Sequence, residues 1–290
     1  MEYTAKRNFE VNRMRAQNLS ICIPNYGCNK NCPYCVSNMT GMIRPAVDRL
    51  LNAVTKVESF ASRIGVTTVL FTGKGEPLFN EKSIRVLAQI FKKRFRSFII
   101  ELQTNGLAFL KPGGKDLLRN LRLWGLNVLA VSIDRFSDFE RFGPIFSLAR
   151  QLGLVVRVAA NAVYDMAEAG FAGLKQACLK HGVQQLTIRR ITVPSRIVNT
   201  PQALKTRQWI EEHKPHLIYE TLLSNFAAEP KRLIRVLNYG AKVYDVDGLA
   251  FVASDYCIQE NNHEEDIRSL ILAEDGHCYD GWDCQASILF

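Results

Sequence analysis

The sequence predicts an α/β protein whose main part is a parallel sheet of six strand–helix units, followed by an α+β C-terminal extension. Two observations predict this class. Short apolar runs alternate with segments of helical period between residues 18 and 214, and such alternation is typical of parallel strands joined by right-handed helical crossovers. After about residue 214 the alternation stops, and Asp247-Gly248 and Asp275-Gly276 each lie between apolar stretches, as hairpin turns do.

The individual elements are predicted from apolar runs and from the residues that end them. Strands are expected at residues 19–24, 68–72, 98–102, 128–133, 155–160 and 185–191. Helices are expected at 47–64, 83–95, 115–124, 144–152 and 171–181, and most of them stop at a glycine, which favours the backbone conformation that follows a helix. Thr200 and Pro201 predict the start of a sixth helix, because Thr caps a helix and Pro suits its first position. We therefore predict an N-terminal extension at 1–17, the β/α region at 18–214 and a C-terminal extension at 215–290.

Length and composition limit the class of protein. The chain has 290 residues, of which 47% are hydrophobic and 22% charged, so it can bury a large core without disulfides, and disordered and collagen-like classes are excluded. No segment approaches the ~18 consecutive apolar residues that a membrane span needs. The charged first 15 residues do not resemble a secretory signal. These features predict a soluble cytoplasmic protein with no membrane partner.

Charge is distributed unevenly along the chain. The formal net charge is +9, but residues 254–290 carry nine acids and one base, which leaves 36 bases and 19 acids, or +17, in the first 253 residues. A basic body favours an anionic partner such as a nucleotide, a nucleic acid or an acidic peptide. The alternative is that the charge only solvates exposed helix faces. The acidic end of the extension is a candidate lid or substrate-binding region over the basic body.

Three of the eight cysteines lie in one short loop, Cys28-Asn29-Lys30-Asn31-Cys32-Pro33-Tyr34-Cys35. In a reducing compartment, clustered cysteines indicate a metal or catalysis rather than disulfides. A structural zinc site requires four ligands, and no fourth ligand lies nearby in the sequence. Three thiolates instead suit a [4Fe–4S] cluster with one iron left open.

The Cys-x3-Cys-x2-Cys spacing, with Tyr34 before the last cysteine, resembles the signature of radical S-adenosylmethionine (radical SAM) enzymes. Three further motifs follow at successive predicted strand ends and resemble family patterns: Gly73-Lys74-Gly75-Glu76-Pro77, Thr104-Asn105-Gly106 and Ser132-Ile133-Asp134. Lys74 departs from the pattern, since many members have Gly or Ala there. The resemblance covers about residues 18–195 and implies a partial (β/α)6 TIM-like barrel with its active site at the carboxyl ends of the strands.

The resemblance also implies the cofactors and their ligands. Cys28, Cys32 and Cys35 would hold three irons of a [4Fe–4S] cluster, and the amino and carboxylate groups of S-adenosyl-L-methionine (SAM) would chelate the fourth. One-electron cleavage of SAM would give methionine and a 5′-deoxyadenosyl radical, which abstracts a hydrogen from the substrate. An electron donor such as flavodoxin or ferredoxin is implied. The residues expected to contact SAM are Tyr34, through its backbone carbonyl, and Gly73, Lys74, Gly75, Glu76, Thr104, Asn105, Ser132 and Asp134.

Other polar residues at strand ends are weaker candidates. Arg157 and Asn161 on the fifth strand, and Arg189, Arg190 and Thr192 on the sixth, are expected to face cofactor or substrate.

The remaining cysteines predict no second cluster. Cys257, Cys278 and Cys284 share the extension with two histidines, but they form no Cys-x2-Cys pair, so structural or substrate-contacting thiols are favoured. Cys22 and Cys178 are expected in the core.

The sequence leaves the substrate open. A small anionic or nucleotide-like molecule is favoured, and a peptide- or RNA-modifying enzyme is the alternative. An alternative of another class is a non-enzymatic iron–sulfur electron-transfer or zinc-binding module. Such a module has no need of Gly73–Glu76, Asn105 or Ser132 at successive strand ends, which favours the enzyme.

Overall fold

The computed structural model describes residues 15–25, 27–41, 45–94, 98–194, 196–237, 240–254, 266–282 and 289. Six strands of the main region lie side by side in chain order, and every neighbouring pair is parallel. They are β1 (Arg15–Cys22), β2 (Thr68–Thr72), β3 (Ile99–Thr104), β4 (Val128–Ile133), β5 (Val155–Asn161) and β6 (Gln185–Arg189). The predicted parallel sheet is confirmed, and the carboxyl ends of its strands meet at one edge.

One or two helices follow each of these strands. They are α1 (Val36–Thr40), α2 (Val47–Arg63), α3 (Glu81–Arg94), α4 (Gly114–Trp124), α5 (Asp138–Gln151), α6 (Met166–Lys180), α7 (Pro201–His213) and α8 (Pro215–Ala227). Thr200 caps α7 as predicted, since its side chain accepts a hydrogen bond from the Ala203 N–H at 3.2 Å.

Two helix starts were predicted too late. Helix α5 begins at Asp138, so Pro144 lies inside it rather than at its start. The lost backbone hydrogen bond is outweighed by packing, because Phe139 and Phe142 of the first two turns are buried in the core. Helix α6 begins at Met166, and Gly170 at φ 64° interrupts its helical backbone. A helical period measured after Gly170 therefore missed the first turn.

The C-terminal extension contributes strands to the same sheet. They are β7 (Arg232–Val236), β8 (Lys242–Val246), β9 (Leu249–Ser254), β10 (Asp266–Leu272) and β11 (Cys278–Tyr279). Strand β9 pairs in parallel with β6, and β10 pairs in parallel with β1. The predicted hairpins are present: β8 and β9 join at Asp247-Gly248, and β10 and β11 join through Asp275-Gly276.

This placement corrects the expectation that the extension packs only on or beside the barrel mouth. The reason is apolar burial, because Leu249, Phe251, Leu270 and Leu272 are fully buried once their strands join the sheet edges. The domain boundaries themselves stay predictions, and β1 already starts at Arg15. Residues 255–265, 283–288 and 290 of the suggested lid lie outside the described residues.

The sheet curves into a partial barrel. The side chain of Arg268 on β10 reaches Ser254 on β9, with Nη2 3.4 Å from Oγ. No ladder joins these two strands in the part of the chain that the structure describes, so the barrel is not closed. Leu19, Phe71 and Leu129 are fully buried in the core that the helices complete. None of the helices in the described ranges is long and apolar enough to cross a membrane.

Candidate active site

The three clustered cysteines lie on the loop that connects β1 to α1. Cys28 is exposed, and Cys32 and Cys35 are half-buried. A tight turn brings the last two together, since the Cys35 N–H donates to the Cys32 carbonyl at 3.1 Å. Burial raises the pKa of Cys32 to about 12, and Asp134 adds to this effect. Burial also raises the pKa of Cys28, so both thiols are neutral at pH 7 until a metal binds.

No group of three His, Cys, Asp or Glu side chains in the described ranges is arranged to hold a metal ion. The three thiols would therefore have to turn toward one another when a cluster forms. All three lie on one loop of eight residues, and the turn from Cys32 to Cys35 already brings two of them together. The donor set of three thiols on one loop fits a [4Fe–4S] cluster.

Asp134, at the carboxyl end of β4, joins this loop to the barrel. Its carboxylate forms an ion pair with Lys30 and accepts a hydrogen bond from Asn161 Nδ2 at 2.8 Å. The Cys32 Sγ lies 3.9 Å from Asp134 Oδ2. The structure thus brings three predicted site residues, Cys32, Asp134 and Asn161, together. Sequence reasoning missed Lys30, although its position inside the cysteine loop was a signal.

The Gly73–Glu76 turn packs directly against the start of the cysteine loop. The Glu76 N–H donates to the Gly27 carbonyl at 2.9 Å. A Cβ on Gly75 would collide with this same carbonyl and with the Asn25 side chain. Glycine is therefore required at position 75 by close backbone approach. The side chain of Lys74 donates to the Gly41 carbonyl at 3.0 Å, which links the turn to the end of α1.

The carboxylate of Glu76 is held by protein donors. Its Oε1 accepts from the Thr104 hydroxyl at 2.6 Å and from the Leu78 N–H at 3.1 Å. Its Oε2 accepts from the Asn105 N–H at 2.9 Å. Burial raises the pKa of this carboxyl, and the three hydrogen bonds oppose that rise. Glu76 therefore ties the end of β2 to the end of β3.

Asn105 reaches from β3 to the cysteine loop. Its Nδ2 donates to Asn29 Oδ1 at 2.7 Å and lies 3.4 Å from Cys28 Sγ. An amide N–H at a ligand sulfur is the kind of outer contact that tunes an iron–sulfur cluster. Thr104, Asn105 and Glu76 thus form one connected group beside Cys28.

The ring of Tyr34 is buried in an aromatic group beside Cys32. Its centroid is 5.5 Å from that of Trp209 and 6.3 Å from that of Tyr164. Tyr164 has a left-handed backbone, φ 54°, and its ring carries the Arg135 guanidinium at 4.4 Å. This conformation is uncommon for a non-glycine residue, and Tyr164 lies three residues beyond the end of β5. The aromatic group holds the Tyr34 side chain in place, whereas the Tyr34 backbone forms part of the cysteine loop.

The inner face of the sheet encloses a cavity of about 720 Å³. Strand side chains and the Gly73-Lys74 turn line it. Its cationic lining residues are Lys74, Arg157, Arg189, Arg235 and Arg268, and its acidic ones are Glu101 and Asp280. The lining therefore carries an excess of positive charge.

Two of the weaker candidates lie in this cavity. Arg189 Nη1 is 3.4 Å from the Ser132 hydroxyl, which places both near the strand ends. Arg157 forms an ion pair with Glu101 at 2.6 Å, and Glu101 is buried. Sequence reasoning missed Glu101 because it lies within an apolar strand.

Thr192 follows β6 and is half-buried. Arg190 directly follows β6 and pairs with Glu220 of α8 at 3.7 Å. Its expected place beside cofactor or substrate stays a prediction, whereas Arg189 lines the cavity.

The other cysteines in the described ranges are buried. Cys22 lies in β1, Cys178 in α6 and Cys278 in β11, and burial raises the pKa of Cys178 and raises that of Cys278 to about 12. They are structural thiols. Cys257, Cys284 and His263 fall outside the described residues, so a second cluster is untested.

A partial β/α barrel with three cysteines after its first strand and polar groups at the following strand ends defines a class of cluster-binding enzyme. The model of the radical SAM superfamily matches residues 22–171, more than half of the chain. The chain therefore belongs to the radical SAM superfamily and is an enzyme. Membership implies a [4Fe–4S] cluster and SAM as cofactors. Among curated proteins, no sequence matches significantly.

Solved structures of Streptococcus suis SuiB share the fold. The complex of SuiB with S-adenosylmethionine is 13% identical, with a TM-score of 0.55, and covers 99% of this chain and 64% of SuiB. The complex with precursor peptide SuiA is 12% identical, with a TM-score of 0.54, and covers 96% of this chain and 62% of SuiB. This chain therefore spans less than two thirds of the length of SuiB. At such identity the similarity shows the fold alone.

Proposed function

We propose that the protein abstracts a hydrogen atom from an anionic substrate that binds in the barrel cavity. The observation that carries the proposal is the cation-lined cavity on the inner face of the sheet, whose lining includes the turn that packs against the cysteine loop. Gly73 and Lys74 of the turn beside that loop line the cavity together with Arg189. A substrate carboxylate or phosphate there would be held by guanidinium groups, which suit bidentate recognition of such anions.

In the proposed site, Cys28, Cys32 and Cys35 hold the cluster, and the Gly73–Glu76 turn with Asn105, Ser132 and Asp134 holds SAM. When bound, these cofactors supply one-electron cleavage of SAM and a carbon radical that takes a hydrogen atom from the substrate. Gly75 keeps the turn close to the loop, and Glu76 holds it against Thr104. The Lys30 ammonium places positive charge beside Cys32, which offsets the negative charge of thiolate ligands.

The arginines of the cavity have separate roles in this proposal. Arg157 pairs with the buried Glu101 carboxylate, so the charges of these two side chains cancel within the cavity. Arg189 lies beside Ser132 at the level of the strand ends, so it joins the cavity to the proposed SAM site, whereas Lys74 of the SAM turn donates to the Gly41 carbonyl. We therefore assign Arg189 to the anionic group of the substrate. A nucleotide-like molecule and an acidic peptide both carry such a group.

The first test is electron paramagnetic resonance on anaerobically reconstituted, dithionite-reduced protein, with and without SAM. A [4Fe–4S]⁺ signal that changes when SAM is added supports the proposal. Cys32→Ser should abolish the signal, whereas Cys178→Ala, which removes a thiol buried in the core, should keep it. A cluster that ignores SAM would favour an electron-transfer module, and zinc without iron would contradict the cluster site.

The second test concerns charge in the cavity. We expect acidic peptides or nucleotides, but not their neutral or cationic counterparts, to increase formation of 5′-deoxyadenosine. Arg189→Met should remove that stimulation and leave the SAM-dependent change in the spectrum intact. Stimulation by cationic compounds alone would contradict the anionic substrate.

A further inference from the structure

Strand β7 forms one outer edge of the sheet and is exposed along its whole length. In the strand order it has β8 as a neighbour on one side, and nothing among the described strands on the other. All five of its residues are exposed. They include three large apolar side chains, Leu233, Ile234 and Val236, which are 49%, 51% and 53% exposed.

An edge of this kind can pair with another chain. The unpaired N–H and C=O groups of an edge strand are a template for a further strand, and soluble proteins usually keep large apolar side chains away from it. Successive residues point to opposite faces of a strand, so Leu233 and Ile234 leave both faces of β7 partly apolar. The side chains of a strand added to this edge would pack beside the apolar side chains on both faces of β7.

The charge of β7 favours an acidic partner over a second copy of the chain. Lys231, Arg232 and Arg235 lie on or directly before the strand, and Lys242 pairs with its last residue in the ladder. The acid opposite them is Asp245, which binds Arg232 at 3.1 Å. Two β7 strands placed together would bring like charges face to face, which is destabilising, whereas an acidic strand would be attracted.

The direction of β7 leads a paired chain toward the cavity. Strand β7 is antiparallel to β8, and β8 is antiparallel to β9. Strand β7 therefore runs in the same direction as β9 and β6, and its last residues lie toward the carboxyl ends of the barrel strands. Arg235 and Leu237 line the cavity itself. A chain paired with β7 would have one end beside the proposed substrate site.

We propose that β7 binds an extended acidic peptide by main-chain pairing and presents one end of it to the cavity. The peptide adds a strand to the sheet, with its backbone supplying affinity and its acidic side chains facing the cations of β7. This assignment of substrate class rests on the proposed function for the cavity. The pairing itself is independent of SAM cleavage, so the two can fail separately.

The test uses full-length, cluster-loaded protein and a fluorescein-labelled decapeptide of alternating Glu and Val. Fluorescence anisotropy measures affinity, and hydrogen exchange measured by mass spectrometry follows the amides of residues 231–237. We expect saturable binding and slower exchange of this segment in the wild type. A decapeptide of alternating Lys and Val should not bind.

Two variants at one exposed position form a matched pair. Ile234→Glu and Ile234→Lys both remove the same apolar side chain, but only the glutamate repels an acidic peptide. We expect Ile234→Glu to weaken binding about tenfold, and Ile234→Lys to retain most of it. Ile234→Pro removes a main-chain donor and should weaken binding as well.

Several outcomes would overturn the inference. They are the absence of saturable binding by the wild type, equal affinity of the Glu and Lys variants, and unchanged exchange at 231–237 on binding. Light scattering that shows a dimer, dissociated by Ile234→Pro, would assign the edge to a second copy instead. Formation of methionine from SAM, measured in the same variants, separates this result from failure of the proposed function. Peptide binding without SAM cleavage would reject the proposed function and leave the inference about β7 intact.

Discussion

Glu274 is a buried carboxyl group whose ionisation should cost stability. It follows β10 and is 1% exposed, and among the neighbouring groups the backbone N–H and the ammonium of Lys74 favour its charged form. Its Oε1 lies 3.8 Å from the place where a Cβ on Gly73 would be, so it sits beside the proposed SAM turn. Burial raises its pKa from 4.5 to about 7, and the positive charge of Lys74 opposes the rise.

The size and sign of the effect follow from this pKa. The unfolded chain releases the Glu274 proton near pH 4.5, whereas the folded protein keeps it up to about pH 7. The folded state therefore loses stability as pH rises between these values. The difference corresponds to about 3 kcal/mol above pH 7, because a tenfold change in proton affinity is worth ~1.4 kcal/mol. Glu274→Gln cannot ionise, so it should avoid this cost.

Thermal unfolding of wild type and Glu274→Gln between about pH 4 and 8.5 tests the reasoning. The two midpoints should agree at about pH 4, below the pKa of the unfolded chain, and the variant should unfold roughly 5 °C higher above pH 7. Glu168→Gln, which changes an exposed carboxyl, is the control and should show no pH-dependent gain. A variant that is less stable than the wild type at high pH would refute the argument, since it would mean that the ionised Glu274 is stabilised by Lys74.

Three further predictions concern the site. Gly75→Ala should weaken SAM binding at least about tenfold in equilibrium dialysis, because its methyl group displaces the turn from Asn25 and the cysteine loop. Gly173→Ala is the control and should bind SAM normally, because the nearest atom to its new Cβ would be 3.5 Å away. Arg157→Met should lower the free energy of unfolding by about 3–5 kcal/mol, because it leaves the buried Glu101 carboxylate without its cation. The double variant with Glu101→Gln should recover most of this loss. If the losses of the two single variants simply add in the double variant, the pairing is contradicted. Asp134→Asn removes a negative charge near Cys32 and should raise the cluster midpoint potential on the order of tens of mV in a redox titration; an unchanged potential would mean that Asp134 lies too far from the cluster to act on it.

Local patterns located much of the site from the sequence. The cysteine loop and the polar strand ends could be predicted because each lies where an apolar run stops, and parallel strands bring such stops to one edge. The structure shows that position 75 needs glycine for close packing against Gly27, and the role of Gly75 in binding the cofactor stays a prediction. These features depend on residues close to one another in the chain or on the regular repeat of the β/α unit.

Contacts set by the position of the extension could not be predicted in this way. Glu274 meets Gly73 only because β10 inserts beside β1, and no local signal specifies that pairing across the chain. Glu101 pairs with Arg157 because the sheet curves enough to bring β3 and β5 side chains together. A charged residue within an apolar strand indicates such a pair, because burying Glu101 without a cation would cost too much free energy.

The contacts around Asp134 connect the cysteine loop to the cavity that would hold the substrate. Asp134 binds Lys30 of the loop and Asn161 at the end of β5. Asn161 is the ladder partner of Arg189 on β6, and Arg189 faces the cavity beside Ser132. Each step is a direct contact or a strand pairing, so the cysteine loop and Arg189 belong to one connected group of residues. The strand ends proposed to hold the cofactors therefore also carry the cation proposed to hold the substrate.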